Sequence, residues 1–234
     1  MSWFGFGGSA DGEEVVFPEI PTASSEDEIC AIGAKALAEF EKVIASNDGW
    51  NDVPFEEAGH EDIKLFDKIE EGSPIVPVKA IGSVNASAQK VAALYKERNA
   101  KKIKATIDET ILGLEILKEF GNVTIRYASF YLAPMVSNRE FVFVQSEQTD
   151  ADGSFVAATT SINFAEKKQA SGQVRGVIAI EGVKVEQDAE NPNKCTIYRT
   201  LQVDPKGMLP SWVVNMSKSN VAKQIVKVRA CVDK

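Results

Sequence analysis

The sequence contains few of the residue types from which catalytic and metal-binding sites are built. Its 234 residues include a single histidine, His60, which lies in a polar loop. A His-based triad or a multi-histidine metal site therefore cannot be assembled, and we expect His60 to be exposed and inert. Cys30, Cys195 and Cys231 are far apart, without CxxC spacing, and their odd number leaves at least one unpaired, which favours a reduced compartment. We predict no enzymatic activity, no metal site and no cofactor.

Signals for nucleotide binding and for membrane insertion are missing as well. The sequence has neither a GxxxxGK(S/T) motif nor a strand-linked GxGxxG motif. The N-terminus lacks the basic and apolar regions of a secretory signal, and no apolar run approaches the roughly 18 residues needed to cross a bilayer. A formal net charge of −8 gives no diffuse attraction to phosphate backbones. These absences predict a soluble, cytoplasmic protein that does not bind nucleic acid.

The first 24 residues differ from the rest of the chain. They combine Gly, Ser, Pro and acidic residues with three aromatic residues, Trp3, Phe4 and Phe6, and they show neither helical nor strand periodicity. This composition predicts a flexible arm over residues 1–24, and an anchor for a membrane or a partner is the alternative. Residues 25–234 are then expected to form one domain, which is long enough to bury a sizeable core.

The periodicity of the remaining sequence predicts an α+β fold. A capping-box pattern at Ser25 and Glu28 begins an amphipathic helix that continues to about Ser46. An antiparallel pair of strands is predicted next, over 63–69 and 75–82, followed by short helices over 86–99 and 111–120. An amphipathic helix from Pro210 to Val228 ends the chain. Between these helices lie β-rich runs with short connections, which predict an antiparallel sheet: 123–131, 139–148, 155–163, 174–187 and 194–203.

Several segments in a fixed order carry a family resemblance. The three strongest are VSNREFV at 136–142, VRG at 174–176 and DPKGMLPSWVVN at 204–215. They resemble the SxRDFV, VRG and DPKGxLPxWLVN motifs of the START (steroidogenic acute regulatory protein-related lipid transfer) domains, with Glu140 in place of the usual Asp. Weaker similarity lies in the Gly-Trp at 49–50, the VKAIG at 78–82 and the Ile-Asp at 107–108, where the family has Trp-Asp. The resemblance covers residues 28–232.

The resemblance implies a helix-grip fold and lipid binding. In this fold a curved antiparallel sheet grips a long C-terminal helix around a hydrophobic tunnel that holds one lipid, and no reaction takes place. The loop 163–172 is then the lid over the tunnel mouth, and its Lys167 and Lys168 either meet anionic head groups or are ordinary solvated residues. The implied partners are a lipid ligand and, transiently, a membrane surface, and the implied state is a monomer.

The resemblance also implies which residues bind the ligand. They are Arg126, Ala128 and Phe130 on one strand, Phe141, Phe143 and Gln145 on the next, and Trp212, Val213 and Met216 on the last helix. Cholesterol-binding members pair an acidic residue with an arginine in the tunnel, and the corresponding positions here hold Arg126 and Gln145. We therefore expect no preference for cholesterol. A buried Arg126 needs a partner, which is either a ligand carboxylate or phosphate, or a protein carboxylate such as Glu147 or Glu115.

Three functions remain open at this point. The first is a carrier or sensor that holds one sterol, phospholipid or fatty-acid-like molecule. The second is a signalling or scaffold module in which lipid gates a protein interaction through the N-terminal arm. The third is an enzyme of the wider Bet v 1-like superfamily acting on a hydrophobic substrate. A cavity rich in ionisable groups with perturbed pKa values favours the enzyme, whereas a dry apolar tunnel favours the carrier.

Overall fold

The structure, a computed structural model, describes residues 19–69, 76–207, 209 and 211–232, and for residues 211–217 it describes the backbone alone. Its four described helices are α1 (Glu26–Ala45), α2 (Ala88–Tyr95), α3 (Ala100–Thr106) and α4 (Ser211–Val232). Its described strands are β1 (Asn51–Val53), β2 (Lys64–Asp67), β3 (Val78–Val84), β4 (Ile111–Phe120), β5 (Val123–Phe130), β6 (Arg139–Thr149), β7 (Phe155–Ser161), β8 (Val174–Arg175), β9 (Val177–Gln187) and β10 (Cys195–Asp204).

All of these strands belong to one sheet. Nine of them are paired antiparallel in the order β1-β2-β3-β10-β9-β7-β6-β5-β4, and the short β8 pairs in parallel with the start of β6. The pairing of β10 with β3 brings strands from the two halves of the chain side by side. The fold class is therefore α+β with the helix-grip arrangement, as the sequence predicts.

Helix α1 covers the outer face of the sheet. Its capping box forms as predicted, because the Ser25 side chain accepts a hydrogen bond from the Glu28 amide while the Glu28 carboxylate accepts from the Ser25 amide. Phe40 is fully buried against β9, where a β-carbon on Gly182 would lie 2.3 Å from the Phe40 ring. Fully burying such a side chain contributes roughly 1.5–3 kcal/mol. Gly182 is thus required for the close approach of α1 to the sheet.

The other helices lie on the inner face. Val221, Ala222, Ile225 and Val228 of α4 pack in one apolar cluster with α2 and with inward-facing residues of β3, β9 and β10. Successive side chains of a strand point to opposite faces, so the sheet has two separate apolar layers, one under α1 and one under α4. No described helix is long and apolar enough to cross a membrane.

The structure contradicts the helix predicted over 111–120. It is the ten-residue strand β4 and not a helix, while the neighbouring helix α3 was not predicted. Register shifts at Ile111/Gly113 and Ile116/Lys118 interrupt the alternation of β4 against β5. These irregularities spread the apolar residues over helix-like intervals and so explain the wrong prediction. The signal for α3 was Asn99, whose side chain accepts hydrogen bonds from the amides of the first turn.

The end of the predicted N-terminal arm touches the domain. Thr22 forms a parallel bridge with Asn163, and the Asn163 amide donates to the carbonyl oxygen of Pro21 at 2.9 Å. Ala23 packs against the cluster under α1. Trp3, Phe4 and Phe6, the aromatic residues of the arm, lie outside the described residues. The domain limits themselves stay a prediction.

Candidate functional site

A cavity of about 140 Å³ lies between the inner face of the sheet and the helices. Strands β4, β5, β6, β7, β9 and β10 contribute to its wall, and α2, α3 and α4 cover it. An apolar cavity of about this size accommodates benzene, whereas pockets for drug-sized ligands span roughly 300–1,000 Å³. The residues that line it are Leu94, Tyr95, Glu97, Ile103, Ile107, Asp108, Ile111, Leu114, Arg126, Ala128, Phe130, Phe143, Gln145, Ala157, Thr159, Glu181, Gly182, Val183, Arg199 and Gln224.

The structure brings most of the predicted ligand-binding residues together. Five of them line the cavity, namely Arg126, Ala128, Phe130, Phe143 and Gln145. Phe141 lies beside this group and packs edge-on against Phe130, with ring centroids 5.8 Å apart. The remaining predictions, Trp212, Val213 and Met216, concern side chains outside those that the structure describes. Their role in ligand binding stays a prediction.

Arg126 is paired by the protein. Its side chain is 4% exposed, and its Nη2 lies 2.7 Å from Oε1 of Glu147, which also accepts a hydrogen bond from Gln145 at 2.8 Å. Nε donates to the hydroxyl of Thr124 at 2.8 Å. Burial lowers the pKa of Arg126, and the nearby Glu147 opposes that shift, so the guanidinium stays charged. Of the two alternatives for its partner, the protein carboxylate is the one observed.

A second buried arginine was missed by the sequence analysis. Arg199 on β10 is 6% exposed, and its Nη2 donates to Oε1 of Glu181 on β9 at 3.2 Å. The guanidinium lies over the ring of Tyr95, 5.7 Å from the centroid. Burial raises the pKa of Tyr95 to about 12, so its hydroxyl keeps its proton at neutral pH. These residues belong to none of the motifs, and their signal was the alternation of the β10 sequence, which places Arg199 between inward-facing Ile197 and Leu201.

The polar lining continues onto the C-terminal helix. Gln224 of α4 donates from Nε2 to Oδ2 of Asp108 at 3.2 Å. The other carboxylate oxygen of Asp108 accepts from the amide and hydroxyl of Thr110 at 2.9 and 2.6 Å. The cavity is therefore not a dry apolar tunnel: its apolar walls include two arginines and the carboxylates of Glu97, Asp108 and Glu181, and the carboxylate of Glu147 lies behind Arg126.

Two adjacent motif residues of β6 lie on opposite faces of the sheet: Glu140 is on the outer face, and Arg139, the partner of Phe130, is on the inner face. Glu140 is fully buried, and its two oxygens accept hydrogen bonds from Arg175, Tyr127 and the Ala170 amide at 2.8–3.1 Å. Arg139 donates to the carbonyl oxygens of Ser137, Pro205 and Lys206. Glu140 thus ties the start of β6 to the VRG segment and to the loop 163–172, and Arg139 ties it to the DPKG segment. The contacts of Arg139 and Glu140 give both residues a structural role.

The loop 163–172 does not lie where the resemblance implied. Lys167 pairs with Glu115 and lies over the ring of Tyr127, 4.2 Å from its centroid, and both of these residues point to the outer face. Phe164 packs in the apolar cluster under α1. No residue of this loop lines the cavity. Its described contacts place it on the outer face, and the lid prediction is wrong for this structure.

The single histidine and the three cysteines are not among the residues that line the cavity. His60 is half-buried, contrary to expectation, and its Nδ1 lies 3.0 Å from Nη1 of Arg229, which also holds Asp62. All three cysteines are unpaired. Burial raises the pKa of Cys195 to about 11, which keeps it a thiol at neutral pH. Within the described part of the chain no cluster of potential metal ligands is present.

Comparison with known proteins gives consistent matches. The sequence model of the START domain family matches residues 32–234. START domain-containing protein 10 of Mus musculus is 27% identical over 134 residues, which cover 56% of this chain and 44% of the relative. Steroidogenic acute regulatory-like protein 1 of Caenorhabditis elegans is 29% identical over 129 residues, covering 48% of this chain and 49% of the relative. The chain thus spans about half the length of the curated relatives that it matches.

Solved structures share the fold. Human StAR-related lipid transfer protein 5 superposes with a TM-score of 0.77 at 18% identity, covering 89% of this chain and 98% of that one. Human STARD10 superposes with a TM-score of 0.72 at 19% identity, covering 93% and 83%. The family match extends over most of the sequence, and the antiparallel sheet with its C-terminal helix agrees with these folds. The chain therefore belongs to the START domain family.

Proposed function

We propose that this protein is a cytoplasmic lipid carrier that binds one lipid in the cavity between the inner face of the sheet and α4, works as a monomer and contacts membranes transiently. The observation that carries the proposal is the cavity between the inner face of the sheet and the helices, in a chain of the START family. One cavity implies one lipid per chain.

The ionisable groups in the wall favour binding over catalysis. Arginine does not give up its proton in proteins, so Arg126 and Arg199 supply fixed charges and not acid–base catalysis. A pKa near 12 removes Tyr95 as a base at neutral pH, since an effective general base titrates near the working pH. The cavity is rich in charge, as the enzyme alternative requires, but these three groups are suited to holding a polar head in place.

Lipid uptake requires the cavity to enlarge. A volume of about 140 Å³ is below that of lipid-sized pockets, which begin at roughly 300 Å³. The short helix α3 has no fully buried residue and contributes only Ile103 to the cavity wall. Displacing α3 costs less apolar burial than displacing α4, which buries five side chains. We therefore propose α3 and the turn after it as the moving wall, in place of the loop 163–172.

The test is a cavity-filling substitution. Ala157 lines the cavity, and Ala157→Leu fills part of it without exposing new surface. Transfer of labelled lipid between vesicles should fall at least about fivefold in Ala157→Leu, because each methylene of ligand excluded from the cavity forfeits about 0.8 kcal/mol of binding. Ala38→Leu, an equal change at an exposed position of α1, is the matched control. Equal transfer by both variants and the wild type would refute an internal binding site.

A further inference from the structure

Three buried polar atoms in the cavity wall have no partner. They are Oη of Tyr95, Nε of Arg199 and Oε1 of Gln224, and they come from α2, β10 and α4. All three residues line the same cavity. Buried polar atoms are paired in the great majority of cases, and an unpaired one costs about 1–3 kcal/mol. Three such atoms around one space indicate a site that is completed by a ligand.

The three atoms define what the ligand group must offer. The N–H at Nε of Arg199 and the O–H of Tyr95 are donors and require an acceptor. Oε1 of Gln224 is an acceptor and requires a donor; its orientation is fixed because Nε2 of the same amide donates to the Asp108 carboxylate, which can only accept. A hydroxyl group meets both requirements, since its oxygen accepts two hydrogen bonds while its proton is donated.

The surrounding charges select against an anion. Glu181 already neutralises Arg199, and Glu147 already neutralises Arg126. The described ion pairs give Asp108 no cationic partner, so the wall carries a carboxylate close to Gln224 that is not balanced by a lysine or arginine. A carboxylate or phosphate placed here would add a like charge to a partly desolvated space, which is unfavourable.

We propose that Tyr95, Arg199 and Gln224 form a subsite for the free hydroxyl of an uncharged lipid, so that the carrier selects a lipid alcohol over the lipid acid of the same chain. This proposal rests on the proposed function, because it names the head group that the same cavity recognises. Apolar residues around the subsite, Leu94 and Val183 among them, then contact the first methylenes of the chain.

The test compares two ligands that differ only at the head. Oleyl alcohol and oleate have the same chain, and both are offered, radiolabelled, in vesicles of uncharged lipid at pH 8. Wild-type protein should bind the alcohol at least about tenfold more tightly than oleate, because two or three hydrogen bonds and the absence of charge repulsion separate the two heads. Equal binding of the two ligands, or tighter binding of oleate, would overturn the proposal and leave the proposed function standing.

Tyr95→Phe tests the subsite without changing the packing of the cavity wall. The variant removes a hydroxyl that has no partner in the free protein, so its urea midpoint should not fall, yet its affinity for oleyl alcohol should drop about five- to tenfold. Tyr198→Phe is the control, because the Tyr198 hydroxyl donates to Glu186 outside the cavity, and its affinity for oleyl alcohol should be unchanged. Wild-type affinity for the alcohol in Tyr95→Phe would overturn the proposal. Failure of the wild type to bind either ligand would contradict the proposed function itself.

Discussion

Two buried polar clusters lie on opposite faces of the same sheet and differ in how completely they are paired. The outer-face cluster (Tyr127, Glu140 and Arg175) is satisfied within the protein, with both oxygens of Glu140 hydrogen-bonded. The cavity cluster (Tyr95, Glu181, Arg199 and Gln224) leaves three atoms without partners. A satisfied cluster stabilises the fold, whereas an incomplete one leaves hydrogen bonds for a ligand to make.

The two clusters also differ in whether their residues belong to the family motifs. Glu140 and Arg175 of the outer-face cluster belong to motifs that carry the family resemblance, and they join β6 and β8. No residue of the cavity cluster belongs to a motif. The motifs therefore indicate the fold, and the ligand has to be inferred from the residues that line the cavity.

The largest expected effect is the loss of stability in Glu140→Ala. Removing this fully buried carboxylate leaves Arg175 and the Ala170 amide without their partner, which should lower the free energy of unfolding by about 3–5 kcal/mol. Urea denaturation gives the value. Tyr95→Phe, which changes the incomplete cluster, should lose less than about 0.5 kcal/mol. Similar losses in the two variants would remove the distinction between the clusters.

Arg126→Met tests whether an ion pair of the cavity wall can be replaced as a unit. The single substitution leaves Glu147 partly buried without its cation and should cost about 3 kcal/mol. Adding Glu147→Gln removes the unpaired charge, so the double variant should regain most of that loss. A double-mutant cycle by urea denaturation measures the coupling, and additive losses would show that the pair is not coupled.

Gly176→Ala tests the packing at the junction of β8 and β9, next to Phe141 on the inner face. A β-carbon at Gly176 would lie 2.4 Å from the Phe141 ring and 3.0 Å from the carbonyl oxygen of Asp204, so β8 and β9 cannot keep their position. We expect a loss of about 2 kcal/mol, typical of overpacking, measured by thermal unfolding. An unchanged melting temperature would mean that the strand junction at Gly176 has room to move.

The smallest expected effect is that of Lys167→Ala. This substitution removes an exposed ion pair with Glu115 and the contact with Tyr127, both on the outer face. Exposed pairs contribute less than about 1 kcal/mol, so stability should change little and lipid transfer should stay at the wild-type rate. A transfer rate reduced several-fold would return the lid role to the loop 163–172.

The sequence predicted the fold well where local signals agree with the tertiary structure. The capping box at Ser25, the β-rich runs from Val123 onward and the final helix all have their signals within a few residues. The prediction failed at β4, where bulges break the alternation, and at α3, whose cap was assigned to the preceding helix. Bulges depend on the partner strand, which a single segment does not reveal.

The site was predictable only where its residues have a local signal in the sequence. The positions on β5 and β6 follow from the resemblance and from the alternation of side chains along a strand. Arg199 meets Tyr95 and Glu181 only because β10 pairs with β9 and α2 packs over both, and these contacts join residues that are up to 104 positions apart in the sequence. Such juxtapositions arise from the sheet order and have no local signal.

Native mass spectrometry of the full chain after incubation with lipid vesicles tests the central claim most directly. One cavity enclosed by the sheet and α4 predicts a complex of one chain with one lipid, and the Ala157→Leu variant should show much less of it. Two or more lipids per chain, or an equal amount of complex in Ala157→Leu, would contradict the account.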